Sequence, residues 1–284
     1  MRERRIALEG TTLSACQWGA DDAPPVIALH GWLDNAASFA KLTPRLTETH
    51  RVIALDLPGH GHSDHLPQGR LLHYHFTDYV DAVIAAADAL PLEHFALLGH
   101  SLGAGVASLA AAALGERITG LALIEGLGPL ADSGGRTLER FRQALTQRER
   151  STRKRLRVFA SISEAIAARA AASDLAADLA QPIIERAVRA VEGGYSWRSD
   201  PRLTVPTTLR LAESQVRDLL AGISAPTRLV LARPTTPYLP DRLMAERIAC
   251  INDIQAQHLD GGHHLHLEHP QTVADFLSPV LLQG

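Results

Sequence analysis

At 284 residues, 46% of them hydrophobic, the chain is long enough to bury one large α/β domain or one domain carrying an insertion, and its net charge of −3 offers no global field to nucleic acid or an anionic membrane, so neither is expected as a partner. The N-terminal MRERRIALEGTTL is charged and then alternating, with no apolar core of a signal peptide, and the most apolar helical stretch, Leu102 to Gly115, is too short to span a bilayer. Cys16 and Cys250 are the only cysteines and nothing requires them to pair, so a reducing, cytoplasmic location is expected.

In chain order, PPVIALHG (Pro24 to Gly31) and HRVIALDLPG (His50 to Gly59) are short β-branched apolar runs ended by Gly or Pro, the form of a strand buried on both faces. FTDYVDAVIAAADAL then sets Tyr79, Val80, Val83, Ala87 and Leu90 on one helical stripe. HFALLGHS (His94 to Ser101) and ITGLALIEG (Ile118 to Gly126) repeat the strand form on either side of SLGAGVASLAAAAL, a helix small enough to pack tightly on a sheet. This alternation predicts an α/β fold, a mostly parallel central sheet with helices on both faces. From about Pro129 to Ala225 the signals are helical only, followed by GGYSWRSDPRL. After Pro226 the alternation resumes with a strand at Thr227 to Ala232, a helix near Arg242 to Ala249, a strand near Ile254 to Leu259 and a last helix from Pro270 to Leu282. The chain is therefore expected to divide into a core (1–128), an inserted helical cap (129–225) and a second part of the core (226–284).

GHSLG (Gly99 to Gly103) falls where an apolar strand gives way to a small-residue helix and spells G-x-S-x-G, the nucleophile elbow. The turn crowds the backbone around Ser101, so its flanking positions must be glycine, and the new helix offers its N-terminus to a developing oxyanion. A serine hydroxyl needs a neighbouring base, and GGHHLHLEHP offers His263, His264, His266 and His269.

With HGW, DLPGHGHSD and GGHHLHLEHP in order around that elbow, the chain resembles the α/β-hydrolase fold superfamily over essentially its whole length, in particular its cap-bearing serine hydrolase-like members. The resemblance implies Ser101 as nucleophile, His263 as base with His264 as runner-up, and the backbone N–H groups of Trp32 and Leu102 as oxyanion donors. The imidazole must be held by a carboxylate. The commonest family pattern places G-x-x-D after the strand at Thr227 to Ala232, but the chain reads ARPTTPYLPD there, with no acid before Asp241. Glu125 ends the preceding strand, and IEGLGP looks like the arrangement of members that carry their acid after that strand. Glu125 is thus the expected acid and Asp241 its runner-up.

HGHSDH (His60 to His65) matches an H-x-H-x-D-H metal-binding spelling, yet it lies inside the loop DLPGHGHSD in a chain whose elements alternate as in an open parallel sheet, so no metal is expected there. The basic run RERSTRKRLR (Arg148 to Arg157) reads as a solvated helix face or a surface for an anionic partner. Trp32, Tyr195 and Trp197 are candidate aromatic pocket walls and equally candidate core residues, while Asn35 and His100 lie near the site by motif position. The expected activity is hydrolysis of a small ester-like substrate through an acyl-enzyme, without a cofactor. Thioester, lactone or carbon–carbon bond hydrolysis, a metallohydrolase and a non-catalytic binding protein are the alternatives.

Overall fold

The computed structural model describes residues 1–67, 73–132, 134–151, 156–173 and 175–282. The chain opens with a hairpin, β1 (Arg2–Leu8) and β2 (Thr11–Trp18), followed by β3 (Pro25–Leu29), β4 (Arg51–Leu55), α1 (Phe76–Ala89), β5 (Phe95–His100), α2 (Leu102–Leu114) and β6 (Ile118–Ile124). Next come α3 (Thr137–Ser151), β7 (Val158–Phe159), α4 (Ile162–Ser173), α5 (Ala177–Ala187), β8 (Val188–Val191), β9 (Gly194–Trp197) and α6 (Glu213–Ala221). The chain closes with β10 (Thr227–Arg233), α7 (Asp241–Ile248), β11 (Ile254–Asp260), α8 (Leu265–Glu268) and α9 (Pro270–Leu281). Among the described residues no helix is long and apolar enough to cross a membrane.

Eight strands form the main sheet in the order β1-β2-β4-β3-β5-β6-β10-β11. The hairpin is antiparallel to itself and to β4, and the other neighbours pair in parallel. Within each parallel strand successive residues enter opposite layers. Ile27, Leu97, Leu123 and Leu229 join one core with α1, α2 and α7, while Ala28, Leu98, Ala122 and Val230 join the other with Phe39 and α9. This two-sided burial explains why the strands read as unbroken apolar runs. The strand order also creates a switch point: from β3 the chain moves outward to β4, and from β5 it moves the other way to β6, which opens a crevice at the carboxyl ends of β3 and β5.

The segment expected to be wholly helical differs. Residues 129–225 hold helices and also a second, three-stranded antiparallel sheet in the order β7-β9-β8. Its strands are two to four residues long, too short to show a period of two, and Gly193 and Gly194, both at positive φ, turn β8 into β9. A third core gathers Phe159, Ile183, Ile184 and Val188 from this region with Leu267. α6 faces elsewhere: its Val216 and Leu220 belong to the first core, and buried Arg247 of α7 pairs with its Glu213 at 2.7 Å.

Residues 152–155 of the basic run Arg148 to Arg157 lie outside the described residues, and residues 148–151 end α3. Its last member, Arg157, pairs with Glu164 at 2.6 Å and stacks over the Phe159 ring.

Candidate active site

Ser101 stands between β5 and α2 at φ 53°, ψ −115°, backbone strain that a non-glycine residue holds only where its surroundings impose it. Its N–H donates to the Ile124 carbonyl at 2.9 Å and the N–H of Gly103 donates to that of His30 at 3.1 Å, so the turn is stitched to the ends of β6 and β3. A Cβ at Gly103 would meet the Leu29 carbonyl oxygen at 2.0 Å and one at Gly99 the Ala104 Cα at 2.5 Å, so both flanking glycines are sterically required. Leu102 is the first residue of α2, where a backbone N–H has no acceptor within the helix.

Glu125 follows β6 at φ 53° with a buried side chain. Its Oε2 lies 3.0 Å from His263 Nδ1, its Oε1 accepts the Ala232 N–H at 2.5 Å, and the Thr236 hydroxyl donates to Oε2. The stretch ARPTT, where the usual acid is missing, therefore supplies two hydrogen-bond donors to a carboxylate carried by the neighbouring strand. A carboxylate at Nδ1 fixes the proton on that nitrogen and leaves Nε2 free to accept. Asp241 begins α7 and its Oδ1 accepts from the Thr235 hydroxyl at 2.7 Å, so the runner-up acid is turned to its own loop.

No motif marks the next residue in the cluster. The Tyr238 hydroxyl lies 3.0 Å from His263 Nε2 and 3.3 Å from Nδ1, with the two rings nearly perpendicular. Burial pushes the Tyr238 phenol up, which keeps it protonated.

Behind His263 lies a buried group. The His100 Nε2–H donates to the His263 carbonyl at 2.8 Å and so helps set the histidine loop. His264 Nε2 is 3.3 Å from Asp34 Oδ2, while the Arg169 guanidinium donates to Asp34 Oδ1 at 2.5 Å. Although burial opposes it, the His264 hydrogen bond and Arg169 hold the Asp34 carboxyl well below the usual carboxylate range. Burial and the surrounding imidazoles push His100 far down, and burial brings His266 to about 3. His264, the runner-up base, is therefore engaged with Asp34, whereas His263 meets Glu125. Among the described residues the side chains that could hold a metal are Asp34, His100 and His264, whose ligand atoms lie within 4.8 Å of one another.

The side chains of HGHSDH diverge. His60 is buried, its Nδ1–H donating to the Pro58 carbonyl at 3.0 Å, His62 faces Glu3, and Asp64 accepts from the Thr12 N–H at 2.9 Å. The loop is organised by Asp56, which accepts the N–H groups of Ala36 and His62 at 2.8 Å each and takes a fork from Arg186 on α5. Asn35 caps the turn after it and donates to the Ile183 carbonyl at 2.7 Å. Trp32 is half-exposed and its indole N–H donates to the Leu203 carbonyl at 3.0 Å. The structure places Tyr195 and Trp197 on β9 against the third core, with Trp197 edge-on to Phe159 at 5.0 Å between centroids, so their observed contacts are packing contacts.

A strained serine at the switch point of a mostly parallel sheet, with a histidine loop beyond the last strand, defines the hydrolase class of α/β proteins. A sequence profile of the alpha/beta hydrolase fold matches residues 24–270, and the chain belongs to that family. It is similar to a serine hydrolase-like protein of Danio rerio, 31% identical over 98% of this chain and 88% of that one. Among solved structures it is similar to a hypothetical protein of Pseudomonas aeruginosa PAO1, with a TM-score of 0.91 and 39% identity over 99% of this chain and 98% of that one. A thioesterase domain from the curacin biosynthetic pathway shares the fold, with a TM-score of 0.84 at 24% identity over 98% of each chain.

Proposed function

We propose that the protein is a serine hydrolase that cleaves a small ester-like substrate through an acyl-enzyme intermediate. The observation that carries this reading is the 3.0 Å contact between buried Glu125 and His263 Nδ1, beside the strained turn of Ser101. In the proposed reaction Ser101 attacks the carbonyl carbon as His263 Nε2 takes its proton, and Glu125 holds the imidazole tautomer and offsets the imidazolium charge. The backbone N–H groups of Trp32 and Leu102 receive the oxyanion. Collapse of the tetrahedral intermediate expels the alcohol, which takes the proton from Nε2. Water enters on the same side and gives a proton to Nε2 as its oxygen bonds the acyl carbon, and collapse then breaks the bond to Ser101, which takes the proton back from Nε2 as the acid leaves. No step draws on a cofactor.

Residues 129–225 are proposed to roof this site, and the half-exposed Trp32 indole, tied to Leu203 of that segment, to form part of its wall. Hydrolysis rates over p-nitrophenyl esters of increasing acyl length, for the native protein and Ser101→Ala, test the reading. Turnover lost by at least ~10³ in the variant is expected, since only binding and the oxyanion donors survive. Equal turnover in both would reject it.

A further inference from the structure

Asp34 ends the turn that follows β3. Leu33 before it sits at φ 62°, a left-handed backbone that is costly for leucine, and the Asp34 N–H closes the turn on the Gly31 carbonyl at 3.1 Å. The Asp34 side chain folds back against the same turn. A Cβ at Gly31 would lie 3.3 Å from Asp34 Oδ2 and 3.0 Å from His100 Nδ1, so the carboxylate is packed against the backbone that leads into Trp32.

This carboxylate is 1% exposed and binds two other parts of the chain. Its Oδ2 lies 3.3 Å from His264 Nε2, and His264 follows His263, whose carbonyl accepts the His100 Nε2–H at 2.8 Å. Its Oδ1 accepts from the guanidinium of Arg169, on α4, at 2.5 Å. Asp34 therefore joins the turn of one proposed oxyanion donor to the loop of the proposed base. The cation that lets this carboxylate stay charged in the interior comes from a third segment, 135 residues further along the chain.

We propose that Arg169 is a positioning residue: seated on Asp34, it sets the two loops that carry Trp32 and His263, so that α4 completes the active site. This rests on the serine-hydrolase reading of Ser101, Glu125 and His263. Arg169 touches no reacting atom and acts through Asp34. Without the guanidinium the buried carboxylate keeps only imidazole neighbours, and it turns away or draws in water. Either movement shifts both loops, and a displacement of about 1 Å in a catalytic group costs ~10² in rate.

The test is Arg169→Ala. It is read by kcat and KM for p-nitrophenyl acetate and by the rate at which a fluorophosphonate labels Ser101, each with and without millimolar guanidinium. Both kcat and the labelling rate should fall by ~10 to ~10², with KM held within about threefold. The Arg169 side chain is 18% exposed, so its vacated place is open to added guanidinium, which should recover much of the loss in the variant and change nothing in the native protein. A tie that serves stability alone would lower the urea midpoint and leave kcat of the folded protein unmoved. Should the alanine variant fail to fold, Asp34→Asn, which keeps the shape and removes the charge, is expected to show the same fall in kcat at constant KM. A folded variant with native kcat, a loss that guanidinium does not recover, or a raised KM at native kcat overturns the positioning role and leaves the hydrolase reading intact. Absence of a Ser101 adduct in the native protein overturns both.

Discussion

Glu125 combines three costs that a merely structural carboxylate would not need: burial, a left-handed backbone and a position against the strained serine turn. Gly126 shows how tight that position is, because a Cβ there would meet the Ser101 carbonyl oxygen at 2.9 Å. The carboxylate is satisfied by Ala232, Thr236 and His263 together, so its charge is held in place by donors on two elements. Glu125→Gln keeps the shape and removes the charge, and kcat for a p-nitrophenyl ester should fall by something approaching ~10⁴ with the fold retained by circular dichroism. Asp241→Asn, altering a carboxylate bonded to Thr235, should leave kcat within about threefold. The opposite pattern would move the acid to α7. At this scale the sequence pointed to Ser101, Glu125 and His263 because each sits at a motif position at the end of a strand. It could not point to Tyr238, whose surroundings ARPTTPYLPD carry no motif, nor to Asp34 and Arg169, which are 135 residues apart and meet only through the fold.

Between elements, the tie from α5 to the sheet is polar and specific. Arg186 of α5 reaches Asp56 with Nε at 3.0 Å and Nη2 at 2.7 Å from Oδ2, bonds Glu3 of β1, and donates to the Ser14 hydroxyl of β2 at 3.2 Å. Asp56 is fully buried, so deleting the guanidinium strands a charge in the interior. Arg186→Met should lower stability by about 3 kcal/mol, the low end for a broken buried pair because two backbone N–H groups still serve the carboxylate. The shift would be read from urea midpoints, and an unchanged midpoint would mean that water replaces the pair. These ties were invisible in the sequence for the same reason as the small sheet of β7, β9 and β8. Pairings of two to four residues leave no periodicity, and the fork of Arg186 onto Asp56 spans 130 positions. The main sheet was legible because its strands are buried on both faces and end in glycine or proline.

Across the whole molecule, the histidines set the response to acid. Burial holds His60 and His266 at about 3 and also pushes His30 and His100 down, so all four are neutral in the folded protein near neutral pH. In the unfolded chain each would titrate near ~6.5. As pH falls through that value the unfolded state binds protons that the folded state refuses, so stability is full above about pH 6.5 and is lost on the way down toward 3. Each such group contributes up to about 1.4 kcal/mol per pH unit inside that window. The Asp34 carboxyl, held low, adds a loss that begins only below about pH 4. Urea midpoints measured from pH 8 to pH 5 should therefore be level to about 6.5 and then fall steeply, whereas a midpoint level down to pH 5 would mean that these imidazoles accept protons within the fold.

That acid response belongs to the fold, and the proposed chemistry rests on one hydroxyl. The most direct measurement is mass spectrometry of the protein treated with a fluorophosphonate, native and as His263→Ala. A single stoichiometric adduct on Ser101 is expected in the native protein, with its near-complete loss in the variant. No adduct on Ser101, or equal labelling with and without His263, would contradict it.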